Sequence, residues 1–490
     1  MSRVWKIVAA SLAAVCLAPG AGLRSRAQAQ TAGASDPAVD LVVARLIVTT
    51  TATGVDIRVE NATLANAIFA QRIGPSSVRT SSAENTIQIN GNAEGTTATL
   101  QIDTVLAGVK PRSLVLWNVA VASGGTVEIE VANGNRAAPA AVDRFETSKS
   151  SARFSTSADL LRDGGPVAGP SAAGGPLVLA FFYPWYDRTT WSSSQLRDRP
   201  LQLYSTDDRA DLRRIATQAV DAGLDALVVS WMGKTFDGGW NHRRMLMCLD
   251  AAREAGVRIA TLLETTVANP QHEQNGVPPD PDTVFAWLID ILDSYAAHPA
   301  YLRVDNRPVV FAYAAQRLTQ SQWTDVLSRL RASGRDALVV GEGANNTRLG
   351  ALDGLFFYAS NLFTVAGIES FDHAQSLSAR TYHLLPDRGR RRLWVATVSP
   401  GYDDTRLTDG RTPRVTDRDG GRYFDAQWRS ALDMRADWVV VTSWNEWWEN
   451  SEIEPGQRYG DFYVKATKAW ASRFRDDRER ADRPVSARIE

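Results

Sequence analysis

The chain has 490 residues, 44% of them hydrophobic, which is long for one domain and enough to bury two cores. Its 54 basic and 55 acidic residues leave a net charge of −1, so no long-range field favours a nucleic acid or an anionic membrane, and a polyanionic partner is not expected. The start reads as an export signal over residues 1–29. MSRVWK supplies positive charge, IVAASLAAVCLAPGAGL the apolar run, and Ala27-Gln28-Ala29 a small-x-small cleavage site. An uncleaved anchor is the alternative, but Pro19 and two glycines interrupt a run barely long enough to span a bilayer. Cys16 raises a lipoprotein signal, for which Val15 is a poor preceding residue. Cleavage leaves Cys248 as the sole cysteine, so no intrachain disulfide is possible. No later segment is apolar enough to cross a membrane, and the expected product is secreted or periplasmic, with no membrane span in the mature chain.

From residue 38 to 135 short strands follow one another: LVVARLIVTT, GVDIRVEN, NTIQING, TATLQID, SLVLWNVAV and GTVEIEVANG. Period-two alternation in VDIRVE and TVEIEV, with Gly, Asn and Ser between runs, predicts a small antiparallel β-sandwich. Residues 136–176 are rich in Ala, Ser, Gly and Pro and read as a linker, a tether that would leave the two halves separable. A glycan-binding or spacing role suits such a sandwich. From Leu177 onward the pattern changes to strand, helix, strand. Eight apolar runs of buried-strand type are LVLAFFY, ALVVSW, IATLLET, PVVFAY, ALVVGE, LFFYAS, LWVATVS and WVVVTSW. Helical segments separate most of them, but ANNTRLGALDG, between the fifth and sixth, is too short for a full helix. The fold class expected is α/β: a (β/α)8 TIM barrel over residues 177–475, preceded by the small all-β sandwich, with a doubly wound sheet as the alternative. Residues 476–490 read as a charged tail.

A barrel places its chemistry at the C-terminal ends of its strands. Those ends carry Tyr183, Trp185, Tyr186, Trp231, Glu264, Tyr313, Glu342, Tyr358, Tyr402, Asp403 and Asp404. The last strand runs into TSWNEWWENSEIEP, residues 442–455, with four glutamates and three tryptophans. Indole faces cover the C–H side of a sugar ring, while carboxyl groups bond its hydroxyls or protonate a leaving oxygen. The pattern therefore points to an oligo- or polysaccharide, with Glu446, Glu449, Glu452 and Glu454 as candidate acids and Trp444, Asn445, Trp447 and Trp448 beside them. The five histidines are scattered without metal-ligand spacing, and no phosphate loop or dinucleotide fingerprint is present, so neither a metal nor another cofactor is expected.

FFYPWYD at 181–187, HPAYLRVDNRPVVFAY at 298–313, VSPGYDDT at 398–405 and the 442–455 stretch resemble, in order, glycoside hydrolase family 99, the endo-α-mannosidase and endo-α-mannanase family. The resemblance covers about residues 177–470 and implies a (β/α)8 barrel. It also implies a retaining reaction carried by the two glutamates of N-E-W-x-E, here Glu446 and Glu449, so that Glu452 and Glu454, beyond the pair, are expected to stay outside the chemistry. In that scheme Glu446 deprotonates the sugar's own 2-hydroxyl, which attacks the anomeric carbon, and Glu449 protonates the departing oxygen and then activates water. Such an attack needs the 2-hydroxyl trans to the leaving group, as in an α-mannoside. Two residues depart from the family's W-H-E-G: Trp448 replaces the imidazole and Asn450 the glycine. They leave the sugar itself open. A glycan-binding or polysaccharide-assembly protein with the same barrel, and an adhesin whose sandwich does the work, are the alternatives in other functional classes.

Overall fold

The computed structural model describes residues 41–73, 77–81, 84–109, 113–122, 124–134, 141–163, 174–265, 280–385, 391–408 and 412–482. The export signal expected in residues 1–29 lies outside them.

Among the described residues, ten strands and a further two-residue strand at Arg162–Asp163 build the N-terminal sandwich: β1 Leu41–Thr50, β2 Gly54–Val59, β3 Thr63–Ile73, β4 Ser77–Ser81, β5 Thr86–Asn90, β6 Ala98–Ala107, β7 Leu114–Val121, β8 Val127–Asn133, β9 Ala141–Thr147 and β10 Ser151–Ser157. One sheet runs β3-β6-β1-β8-β9 and the other β10-β7-β2-β5-β4. Alternation of apolar and polar residues sends Val55, Ile57 and Val59 of β2 inward against Leu46 and Val48 of β1. The expected linker is corrected here. Residues 141–157 are the edge strands of both sheets, Arg162–Asp163 pairs with β1, and Phe145 stacks on Phe154 at 4.5 Å to close the open side.

Eight parallel strands follow: β11 Leu177–Phe182, β12 Ala226–Trp231, β13 Arg258–Glu264, β14 Arg307–Tyr313, β15 Leu338–Glu342, β16 Gly354–Phe356, β17 Leu393–Val398 and β18 Trp438–Val441. Each pairs with its sequence neighbours, and β18 pairs back to β11, so the sheet closes into a barrel. Burial on both faces explains why these runs are almost wholly apolar. The outer helices are α1 Arg209–Asp221, α2 Trp240–Ala255, α3 Pro281–Tyr295, α4 Gln320–Ala332, α5 Val365–Thr381, α6 Arg422–Asp433 and α7 Phe462–Asp482. Their starts are encoded locally: Asp208, Asp280 and Thr364 cap α1, α3 and α5, and Thr319 with Gln322 forms a capping box on α4. Helix α7 continues into the expected charged tail as far as Asp482.

No α-helix joins β15 to β16; a single 3-10 stretch, Asn346–Gly350, spans the gap. The sandwich fills it. Leu41, Val43, Ala65, Ile68, Val105 and Ala107 belong to the barrel's buried cluster rather than to the sandwich's own. The backbone N–H of Thr80 donates to Asn345 Oδ1 at 3.2 Å, Asn66 Nδ2 donates to the Ser378 carbonyl on α5 at 2.7 Å, and Ser378 Oγ bonds the Ala65 carbonyl. The two halves are therefore packed on each other, and the expectation of a tether falls. The first sheet supplies the outer wall that a helix supplies elsewhere in the barrel.

Candidate active site

Strand alternation sets the site. Phe181, Phe311 and Phe356 point into the barrel with ring centroids 5.4–6.1 Å apart. Two residues further along the same runs, Tyr183, Tyr313 and Tyr358 form the next layer toward the C-terminal mouth, and the Tyr183 and Tyr358 hydroxyls meet at 2.5 Å. Glu264 ends β13 and Glu342 ends β15 in this same layer. Burial, then the charges of Glu446 and Glu264, hold the Tyr183 phenol well above its usual range. Tyr313 is raised likewise by burial, Glu342, Glu264 and Glu449, and Tyr358 by burial, Tyr183, Glu449 and Glu446. These couplings place four acids and three phenols around one mouth.

The loop after β18 is fastened to the end of β11. Asn445 Oδ1 accepts from the Tyr183 N–H at 2.8 Å while its amide donates to the Tyr183 carbonyl and to the Tyr204 hydroxyl, both at 3.0 Å. Tyr186 is the brace of the acid. Its hydroxyl accepts from the Trp447 N–H at 3.0 Å and so directs its own proton to Glu446 Oε1 at 3.1 Å; the Trp448 N–H adds a second donor at 3.3 Å. Two donors on one oxygen suit the ionised form that a base requires. Glu446 and Glu449 are 3% and 2% exposed, and the Glu449 carbonyl accepts from the Asp403 N–H at 2.8 Å, which ties the loop after β17 to the pair.

The expected sugar contacts separate by burial and direction. Trp185 and Trp448 are half-buried at the mouth, Trp185 lying on Tyr183 at 4.5 Å and Trp448 on Tyr186 at 6.5 Å. Trp231 is corrected: it is 0% exposed, and its indole N–H donates to Tyr295 of α3 at 2.9 Å, so it faces the helix layer while Ser230 faces the mouth and bonds Glu264 at 2.8 Å. Trp444 and Trp447 are fully buried, the latter donating to Glu454 at 3.1 Å. Both are packing residues, as Asn445 and Tyr186 are braces. Tyr402 donates to Asp404 at 3.0 Å, Asp404 also accepts from the Arg414 N–H, and Asp403 pairs with Arg197 at 2.8 Å; the three fasten their own loop. Glu452 is bound by Arg418 at 2.8 Å and pushed to about 7 by burial, and Glu454 is held by Tyr204 and Trp447 and pushed to about 8 by burial. Asn450 adopts φ +50, the left-handed region, where asparagine is the usual substitute for glycine.

Tyr358 and Glu342 were expected at the ringed strand ends but given no role there; sharing parity with Phe356 and Val340 was the signal that they face inward. Tyr204, from the loop after β11, carries no sequence mark of its role. Among the described residues no group of three or more His, Cys, Asp or Glu is arranged to hold a metal ion.

The model of glycosyl hydrolase family 99 matches residues 198–476. The human glycoprotein endo-alpha-1,2-mannosidase-like protein is 26% identical over 316 residues, covering 56% of this chain and 64% of its own. The mouse glycoprotein endo-alpha-1,2-mannosidase is 23% identical over 312 residues, covering 57% and 63%. The matches thus span just under two thirds of these relatives. In fold, the structure of the GH99 endo-alpha-mannosidase from Bacteroides thetaiotaomicron in complex with bis-tris propane superposes with a TM-score of 0.52 at 24% identity, over 62% of this chain and 98% of that one.

Proposed function

Because this chain belongs to glycosyl hydrolase family 99, through residues 198–476, we propose that it is an exported retaining glycoside hydrolase, endo-acting on α-linked, mannose-like glycans. The observation that carries the reading is the pair of buried glutamates at the barrel mouth, one of them braced by two donors, Tyr186 and the Trp448 amide. Glu446 takes the proton of the sugar 2-hydroxyl as O2 bonds the anomeric carbon and the glycosidic bond breaks. Glu449 gives its proton to the departing oxygen. The product of this step is a 1,2-anhydro sugar. Glu449 then takes a proton from water, whose oxygen opens the anhydro ring at the anomeric carbon, and O2 recovers its proton from Glu446. Two inversions give net retention. Half-buried Trp185 and Trp448 offer flat apolar faces for the sugars, and the indole at 448 replaces a polar contact by a stacking one. Export rests on the signal read in residues 1–29, and a glycan-binding role for the sandwich belongs to the same reading.

The test is product chromatography of the purified chain against a panel of α-mannans and other bacterial and fungal polysaccharides, followed by two variants. Glu449→Gln should nearly abolish turnover of substrates with poor leaving groups and spare one whose leaving group needs no proton. Glu446→Gln should harm both, each loss being roughly a hundredfold to ten-thousandfold. A normal rate for Glu446→Gln on the activated substrate would move the pair elsewhere. Binding without turnover across the whole panel would favour a glycan-binding protein instead.

A further inference from the structure

Glu342 has no part in that scheme, yet it ends β15 in the layer of Tyr313 and Tyr358 and is 1% exposed. One of its oxygens accepts from the Ala314 N–H at 2.7 Å, the backbone of Tyr358 also bonds the carboxyl, and the second oxygen is shut from solvent. Glu264 stands on the other side of Tyr313, bonded by Ser230 and close enough for the two carboxyl groups to repel. The groups facing this pair are Tyr313 on β14 with Arg317 beyond it, Tyr358 after β16, Tyr183 on β11 and Glu449 after β18. No lysine, arginine or histidine forms an ion pair with either carboxyl among the described residues. Two carboxylates buried side by side without a cation are unfavourable, and one proton on the pair relieves both desolvation and repulsion.

We propose that Glu342 is a positioning residue whose backbone-held negative charge biases the proton of the pair toward Glu264, so that Glu264 meets the substrate as a neutral acid able to donate to a sugar hydroxyl. The division of roles follows from the partners. Glu342 has a backbone N–H that favours its charge, whereas Glu264 has a hydroxyl and reaches the mouth. Burial raises both carboxyls above their usual range, and the Glu342 charge adds to the rise at Glu264.

The inference rests on the hydrolase reading for its kinetic arm only. In the glycan-free full chain, infrared spectra of the parent minus those of Glu264→Gln across a pH series should isolate one buried protonated carboxyl near neutral pH, apart from the bands of Glu452, Glu454, Asp372 and Glu449 that both proteins share. In Glu342→Gln the same band should vanish at a lower pH than in the parent, by about one unit or more, since a neighbouring like charge has gone. With substrate, the rise of KM at alkaline pH should begin correspondingly lower in Glu342→Gln, kcat following less, and should flatten in Glu264→Gln. An unchanged infrared titration in a folded Glu342→Gln overturns the proposal. Should the parent cleave no glycan, the hydrolase reading fails by itself and the infrared series still decides where the proton lies.

Discussion

Replacing Tyr186 by phenylalanine deletes one oxygen and leaves the ring's packing intact, because the ring is fully buried and stacked on Trp191 at 5.2 Å. That oxygen carries two hydrogen bonds, from the Trp447 amide and to Glu446. Leaving a buried amide without an acceptor costs about 1–3 kcal/mol, and losing a bond to a charged acceptor about 1.5–3 kcal/mol. Glu446 keeps the Trp448 amide at 3.3 Å, so the lower part of the sum applies, about 2.5–4 kcal/mol. At about 1 °C per kcal/mol for a chain of 490 residues, the expected fall in Tm is roughly 2–4 °C. Glu446 also loses the group that aims it, and a small misplacement of a reacting group costs as much as about a hundredfold, so kcat should fall about 10–100-fold with KM changed less than about threefold. Thermal melting and initial rates on one defined oligosaccharide measure both. Unchanged Tm and kcat would remove Tyr186 as the brace of Glu446. A large rise in KM with kcat intact would make it a sugar contact instead.

Trp185→Ala should raise KM with little change in Tm, since the indole is half-buried at the rim; a collapse in stability would make it a core residue. Asn450→Gly should fold and melt like the parent, while Asn450→Ala should lose about 1 kcal/mol by urea unfolding because φ is +50 there; equal stability of the two variants would sink the backbone argument. Residues 174–490 expressed alone should aggregate or melt well below the full chain, because the sandwich residues that cover the gap between β15 and β16 are then missing; a soluble fragment with the parent's Tm would refute this. Asp372, buried between α5 and α6 and accepting from the Ser430 hydroxyl at 2.7 Å, is pushed by burial to about 7. Its folded value lies above the unfolded one of about 3.9, so the native state holds the extra proton and stability declines as pH rises from about 4 to 7. Asp372→Asn should gain on the parent across that window in urea titrations, and a pH-independent difference between the two would contradict it.

The barrel was legible because its strands are buried on both faces and read as continuous apolar runs ending in acids and aromatics. The edge strands at 141–157 were not. They expose Arg144, Glu146, Arg153 and Ser155, so their composition matches a tether, and only the alternating Phe145 and Phe154 hint at pairing. The four glutamates of 442–455 stand out by their density of charge beside indole, and only the resemblance to the family's N-E-W-x-E separates Glu446 and Glu449 from the other two. Which aromatics face the mouth depends on strand parity, and a one-residue step separates inward Ser230 from outward Trp231. The bracing of Glu446 by Tyr186 joins residues at opposite ends of the barrel sequence, and no local pattern encodes it.

The sandwich seated against the short β15–β16 connection also bears on how the chain is made. It precedes the barrel in the sequence, so during synthesis it is complete while the later strands are still to come, and N-terminal units generally fold first. The barrel then closes onto a surface that is already rigid, rather than having to exclude water from an uncovered stretch of sheet by itself. The last step of closure, β18 pairing with β11 across the length of the barrel, is the slow long-range contact, and a preformed wall holds the middle strands in register until it happens. Renaturation from denaturant, where both parts start unfolded at once, lacks that order, so vectorial synthesis should give a higher yield of native protein than dilution of the same chain from urea.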